Sequence, residues 1–148
     1  MNELSGVLQE AINEGLSIFT TISDWDTRRP GGKWSNLEIL GHLIDSAANN
    51  IQRFVRATHD SDFKIIYNQD QWVRHQHYNQ VSAAELTGLF LALNKQMIRI
   101  WMNYPDGFLS KRLDIGQSAP EFKTIYEIAE GYISHLQHHL TQMKEAVN

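Results

Sequence analysis

The chain contains no cysteine. That excludes disulfides, a thiolate nucleophile and any cysteine-ligated cluster, so a bound metal must rest on nitrogen and oxygen donors. No apolar run approaches the roughly 20 residues of a membrane-spanning helix. The opening Met1-Asn2-Glu3-Leu4 lacks the basic and apolar regions of a secretory signal, so a cytoplasmic protein is expected. Positive charge is scarce. Thirteen Lys and Arg stand against 17 Asp and Glu, a net charge of −4, and no basic run is longer than Arg28-Arg29. Neither nucleic acid nor an anionic membrane is expected as a partner. Phosphate-binding glycine loops, dinucleotide fingerprints and the nucleophile elbow of serine hydrolases are all missing. What remains is 148 residues, 42% apolar and 20% charged, which fits one globular domain with a sizeable core.

Four segments carry helical periodicity. In residues 3–23, Leu4, Leu8, Ala11, Ile12, Leu16, Phe19 and Ile22 make one stripe. Arg29-Pro30-Gly31-Gly32 reads as a loop. Ser35-Asn36-Leu37-Glu38 then reads as a capping box, with Trp34 and Ile39 placed as a hydrophobic staple. The helix it starts runs to about residue 57 and buries Leu40, Leu43, Ile44, Ala47, Ile51, Phe54 and Val55. Residues 59–81 form a long connection whose aromatics, Phe63, Tyr67, Trp72 and Tyr78, require it to pack. A short helix is read at 68–74. Ser82 and Glu85 offer a second capping box, and Leu86, Leu89, Phe90, Leu93, Met97, Ile100 and Trp101 carry the stripe to about residue 103. Residues 109–120 are irregular, with a short extended piece at 111–115. A last helix starting at Thr124 buries Ile125, Ala129, Tyr132, Ile133, Leu136, Leu140 and Met143. Four helices with one long crossover in the middle predict an all-α four-helix bundle.

The candidate chemistry lies in the histidines. His135 and His139 are four apart on the last helix, which stacks their side chains on one face with Cβ atoms about 5–6 Å apart. Two imidazoles so placed can share one metal ion. His138 points further toward solvent. His42 sits on the second helix opposite the apolar stripe, with Glu38, Asp45 and Asn49. Periodicity leaves that face either solvated or lining a polar groove at one end of the bundle. In the groove reading, Asp45 at i+3 holds the second nitrogen of His42. Glu38 is engaged by the helix cap and is not assigned as a base. Gln142, three residues after His139, shares the metal-facing side and is either a partner of a ligand or bound water, or a solvated amide. His59, His75 and His77 read as structural or surface residues. Three protein ligands would leave a tetrahedral ion with an open position, the mark of a catalytic rather than a structural site.

Lys33-Trp34-Ser35 followed by Leu40-Gly41-His42-Leu43 resembles the second-helix motif of the DinB-like superfamily of metal-binding four-helix bundles, which includes the YfiT-type proteins. Tyr132-Ile133-Ser134-His135-Leu136-Gln137-His138-His139-Leu140-Thr141-Gln142 resembles its last-helix motif. The resemblance covers nearly the whole chain. It implies an up-down-down-up bundle, a divalent metal on His42, His135 and His139, with zinc or nickel favoured, and a homodimer. It further implies a small-molecule substrate and a thiol S-transferase or related hydrolase working with a low-molecular-weight thiol. A binding or stress-response module with a structural metal is the alternative. Arg53, Arg56, Lys64, Arg74, Lys111 and Arg112 suit an anionic cosubstrate and equally suit an ordinary surface. No residue is assigned as catalytic acid or base.

Overall fold

A computed structural model describes residues 1–145. Helix α1 (Asn2–Phe19) buries Leu4, Leu8, Ala11, Ile12, Ile18 and Phe19. It stops short of residue 23 because the Thr20 and Thr21 hydroxyls donate back to the Ser17 and Ile18 carbonyls, each at 2.7 Å. Those bonds satisfy acceptors that an ending helix leaves open. Helix α2 (Asn36–Ala57) begins with the capping box the sequence predicts. The Glu38 amide donates to Ser35 Oγ at 3.2 Å, and the Ser35 amide donates to the Glu38 carboxylate at 2.9 Å.

The connection that follows contains α3 (Gln69–Gln76), which starts on an Asn68 cap close to the expected position. Helix α4 (Ala83–Met102) starts at Ser82 as expected, but with half a capping box. Ser82 Oγ accepts from the Glu85 amide and donates to the Glu85 carboxylate, which takes the hydroxyl in place of the serine amide. The extended piece is β1 (Arg112–Asp114). It pairs antiparallel with β2 (Phe122–Thr124), a strand the sequence pattern did not single out. Helix α5 (Ile125–Glu145) starts on a reciprocal Thr124–Glu127 cap, and all seven residues of its predicted stripe are buried.

The four long helices, α1, α2, α4 and α5, form an up-down-down-up bundle. Each of α1 and α2 packs between α4 and α5. Because α2 and α4 run the same way, the chain must travel the length of the bundle between them. Residues 58–82 make that crossover.

The crossover corrects one sequence-based alternative. The polar face of α2 is not solvated. Glu38, His42, Asp45 and Asn49 are all at most 3% exposed. Helix α3 and the turn at Tyr78–Gln80 fold back over that face, so residues 36–50 of α2 are enclosed on every side. Conversely, Val55 and Leu89, expected in the core, are 44% and 46% exposed. Of the tryptophans, Trp101 is fully buried and Trp25, Trp34 and Trp72 are half-buried. No helix among the described residues is long and apolar enough to cross a membrane.

Candidate metal centre

The N-terminal turns of α2 lie against the C-terminal half of α5. The loop before α2 clamps that junction. The Leu37 amide donates to the Trp25 carbonyl at 3.0 Å, and Asn36 donates to the Asp24 carbonyl at 2.8 Å. The Arg29 guanidinium bridges the two helices, donating to Asn36 Oδ1 at 2.9 Å and to the Gln142 carbonyl at 3.0 Å. Arg28 forks onto the Glu38 carboxylate. Burial alone would raise the Glu38 pKa, but hydrogen bonds from Arg28 and Ser35 outweigh it and hold the carboxyl below its ordinary value. Glu38 is therefore fully engaged as a cap and ion-pair partner.

At the clamped junction three imidazoles meet. One ring nitrogen each from His42, His135 and His139 lies within 4.8 Å of the other two. His42 Nε2 and His135 Nε2 are 2.9 Å apart. Ring centroids are separated by 4.6–4.9 Å, and the rings stand nearly edge to face. Three nitrogens on a tetrahedral zinc at 2.0–2.1 Å would be spaced by about 3.3–3.4 Å, so small side-chain adjustments bring this trio to ligand geometry. The trio has no acidic or further histidine member among the described residues.

Neighbours fix the orientation of the rings. Gln142 Oε1 is 3.0 Å from His139 Nδ1, and its amide nitrogen is 2.9 Å from His138 Nε2. With the amide donating to His138, the oxygen accepts a hydrogen bond from His139 Nδ1–H, which leaves Nε2 of His139 with its lone pair free. Gln142 is thus a partner of the histidine, one of the two roles the sequence left open. His138 is exposed and outside the trio, as the helical wheel predicts. Trp34 lies over His42, with ring centroids 4.9 Å apart, and covers it on the loop side.

Burial also keeps the trio uncharged. It lowers the His42 pKa to about 3, with further lowering from His135 and His139. It lowers that of His135 to about 4, helped by His139 and His138. His139 is lowered by burial too, with Gln142 opposing. Neutral imidazole is the form that binds metal.

The sign of the resulting pH dependence is fixed. A histidine depressed in the folded state stabilises the fold above its unfolded pKa of about 6.5, and that stability drains away as pH falls through the folded value. Asp45 works the other way. Burial raises its pKa to about 6 against hydrogen bonds from Tyr78 and Gln76, so its contribution is present below the unfolded value and lost as pH rises through 6. Three histidines outweigh one aspartate. The metal-free protein should lose stability between pH 6.5 and 4, by up to about 1.4 kcal/mol per pH unit for each of His42 and His135, less the opposing contribution of Asp45. Urea unfolding across that range would show it, and a flat or rising profile would contradict it.

Asp45 does not make the contact with His42 that i+3 spacing allows. Its Oδ1 accepts from the Tyr78 hydroxyl at 2.6 Å and from the Gln76 side chain. Oδ2 of Asp45 and Nδ1 of His42 are both buried without a hydrogen-bond partner. Tyr78 itself rests on Gly41. A Cβ at residue 41 would fall 2.0 Å from the tyrosine ring, so glycine is required beside His42 for close approach alone. Sequence reasoning missed Gln76, Tyr78 and Arg29 as supports of the centre, since all three reach it from loops or short elements.

A cavity of about 270 Å³ opens beside His42 and His135. Ser46, Asn50 and Arg53 continue its wall along α2, and Tyr67 and Tyr132 close it from other elements. The signal for this wall is visible in the sequence. Residues 42, 46, 50 and 53 fall on one helical face at spacings of four, four and three.

The DinB superfamily family model matches residues 8–143. The chain belongs to the DinB superfamily. Among solved structures, YfiT from Bacillus subtilis superposes with a TM-score of 0.86 at 18% identity, over 97% of this chain and 83% of that one. YfiT is described as a probable metal-dependent hydrolase with an unusual four-helix bundle topology. A mutant of a mycothiol-dependent maleylpyruvate isomerase superposes with a TM-score of 0.78 at 7% identity, over 95% of this chain and 59% of that one. At these identities the likeness establishes the fold. No curated protein sequence matches the chain.

Proposed function

We propose that this DinB-superfamily protein holds a divalent metal on His42, His135 and His139 and acts as a thiol S-transferase or a related hydrolase. The observation that carries the reading is the convergence of three neutral imidazoles at the edge of a cavity large enough for a small molecule. A purely structural centre would be closed by a fourth protein ligand or by packed side chains. Here the wall beyond His42 and His135 is open, and Ser46, Asn50 and Arg53 place polar groups along it.

Zinc or nickel in this position would lower the pKa of a coordinated water or thiol toward neutrality and supply a nucleophile. The chain's own residues do the rest. The histidines stay neutral, Gln142 orients His139, and Trp34 shields His42 from solvent. Support for the thiol comes from the mycothiol-dependent enzyme that shares the fold, and support for hydrolysis from YfiT.

The test is metal analysis of protein purified without a histidine tag, followed by a screen of thiol-transfer and hydrolysis substrates. The rate should rise with pH through one apparent pKa near 7. With His42 held to about 3 and His135 to about 4, neither can produce that titration. Metal-replete protein that turns over nothing in either screen would favour the structural-metal module.

A further inference from the structure

Arg53 is a cation without a counter-ion. It lies half-buried in the cavity wall, and no carboxylate pairs with it among the described residues. Its two hydrogen bonds go to neutral acceptors, Asn50 Oδ1 at 3.2 Å and the Ile65 carbonyl at 2.8 Å. A guanidinium has five N–H donors, so three remain. Burial pushes its pKa down, and the nearby Tyr67 only partly offsets this. A desolvated charge left unpaired is costly and calls for a partner.

Of the other cations named above, Arg56 and Lys64 have carboxylate partners, Lys111 and Arg112 donate to carbonyls, and Arg74 is exposed and outside the cavity wall. Arg56 pairs with Asp60, and Lys64 with Asp114. Lys111 donates to the Ala57 and Asp60 carbonyls. Lys123, at the cavity lip, pairs with Glu121 at 3.0 Å. The one acid in the cavity wall, Glu127, is held by the Thr124 amide and hydroxyl in the cap of α5.

Arg53 is eleven residues along α2 from His42, about 16 Å of helix axis. Helical side chains lean toward the N-terminus, which brings the guanidinium back toward the histidines. The cavity between them has the volume of about nine liquid waters at roughly 30 Å³ each, enough for a small metabolite.

We propose that this cavity is the substrate chamber of the histidine centre, and that Arg53 binds a carboxylate at its far end, so that the substrate is a small organic anion. Its charged group lies several bonds from the atom that reacts. The planar guanidinium matches a carboxylate edge to edge. A lone guanidinium balances the single charge of a carboxylate and leaves a phosphate dianion half-compensated, so phosphate, which the same fork accepts, is the competing probe. The word substrate rests on the metal-centre reading. The carboxylate site does not, because it needs no ion.

Calorimetric titration of the full chain, stripped of metal and held at constant ionic strength, would use succinate and inorganic phosphate as probes. Wild-type protein should bind succinate saturably and more tightly than phosphate. Arg53→Met should weaken succinate roughly ten-fold or more, the scale of one charge-assisted hydrogen bond. Arg53→Lys, which keeps the charge and loses the planar fork, should fall between them. Should the methionine variant fail to fold, the lysine variant carries the comparison. Absent succinate binding, tighter phosphate binding, or equal succinate affinity in the variants would each overturn the proposal. Zinc titration of the wild type separates the two readings. If zinc fails to bind while succinate binds through Arg53, the metal centre falls and the carboxylate site stands.

Discussion

Replacing His135 with alanine should remove most of the bound metal, and replacing His138 should leave it nearly intact. The two residues are three apart on α5 and differ sharply in placement. His135 Nε2 faces His42 Nε2 at 2.9 Å, whereas His138 is exposed and bonded to Gln142. Removing an outer hydrogen-bond partner of a metal ligand typically costs 10- to 100-fold in affinity, so losing a direct ligand from the proposed trio should cost more than about 100-fold. Chelator competition on wild-type, His135→Ala and His138→Ala protein would measure the contrast. Equal losses would mean that His138 matters to the ion as much as His135 does, and no loss in either would remove His135 from the centre.

Gly41→Ala should destabilise the whole protein by about 3 kcal/mol, despite adding a better helix former. Alanine gains up to about 1 kcal/mol in helix propensity over glycine. Against this, the new methyl would sit 2.0 Å from Tyr78 Cδ2 and 2.3 Å from Cε2. The ring has nowhere cheap to go. It is 4% exposed, and its hydroxyl is tied to Asp45. Overpacking of this kind costs 1–3 kcal/mol and at times more, and here it also prises Tyr78 from a buried carboxylate. For a chain of this size the melting temperature should drop by roughly 6–12 °C. A double-mutant cycle with Tyr78→Ala isolates the cause. With the ring gone, alanine at 41 should be harmless or slightly stabilising. An unchanged melting temperature for Gly41→Ala alone would show that the crossover shifts freely over α2.

These effects separate what the sequence shows from what it hides. Helix α5 is legible because local periodicity decides it. The stripe from Ile125 to Met143 is buried in full, and the same wheel separates His138 from His135 and His139. The Ser35–Glu38 cap is legible because its partners are three residues apart. The environment of α2 is not. His42, Asp45 and Asn49 have the pattern of a wet face, and elements distant in sequence make them dry: the crossover of residues 58–82 over Asp45, and Trp34 with the α5 histidines around His42. Nothing within α2 encodes that cover except Gly41, whose missing side chain makes room for Tyr78. Strand β2, the partner of the expected extended piece, escapes for another reason, since a three-residue strand is too short for alternation to register. Asp45 was placed by spacing alone, and a tyrosine 33 residues away captured its carboxylate.

His42 and His135 are 93 residues apart in the chain. During synthesis the N-terminal regions leave the ribosome first, at about 5–20 residues per second, and begin to organise before the rest arrives. A nascent chain that has made α1, α2 and α4 therefore presents His42 alone, a single imidazole with little hold on any ion. The other two ring nitrogens come only when α5 emerges and docks. Capture of an ion by the proposed trio would thus report that the last helix is in place, and a truncated or misdocked product would stay unloaded. In a cell, metal occupancy would mark finished molecules and set them apart from chains still open to proteases.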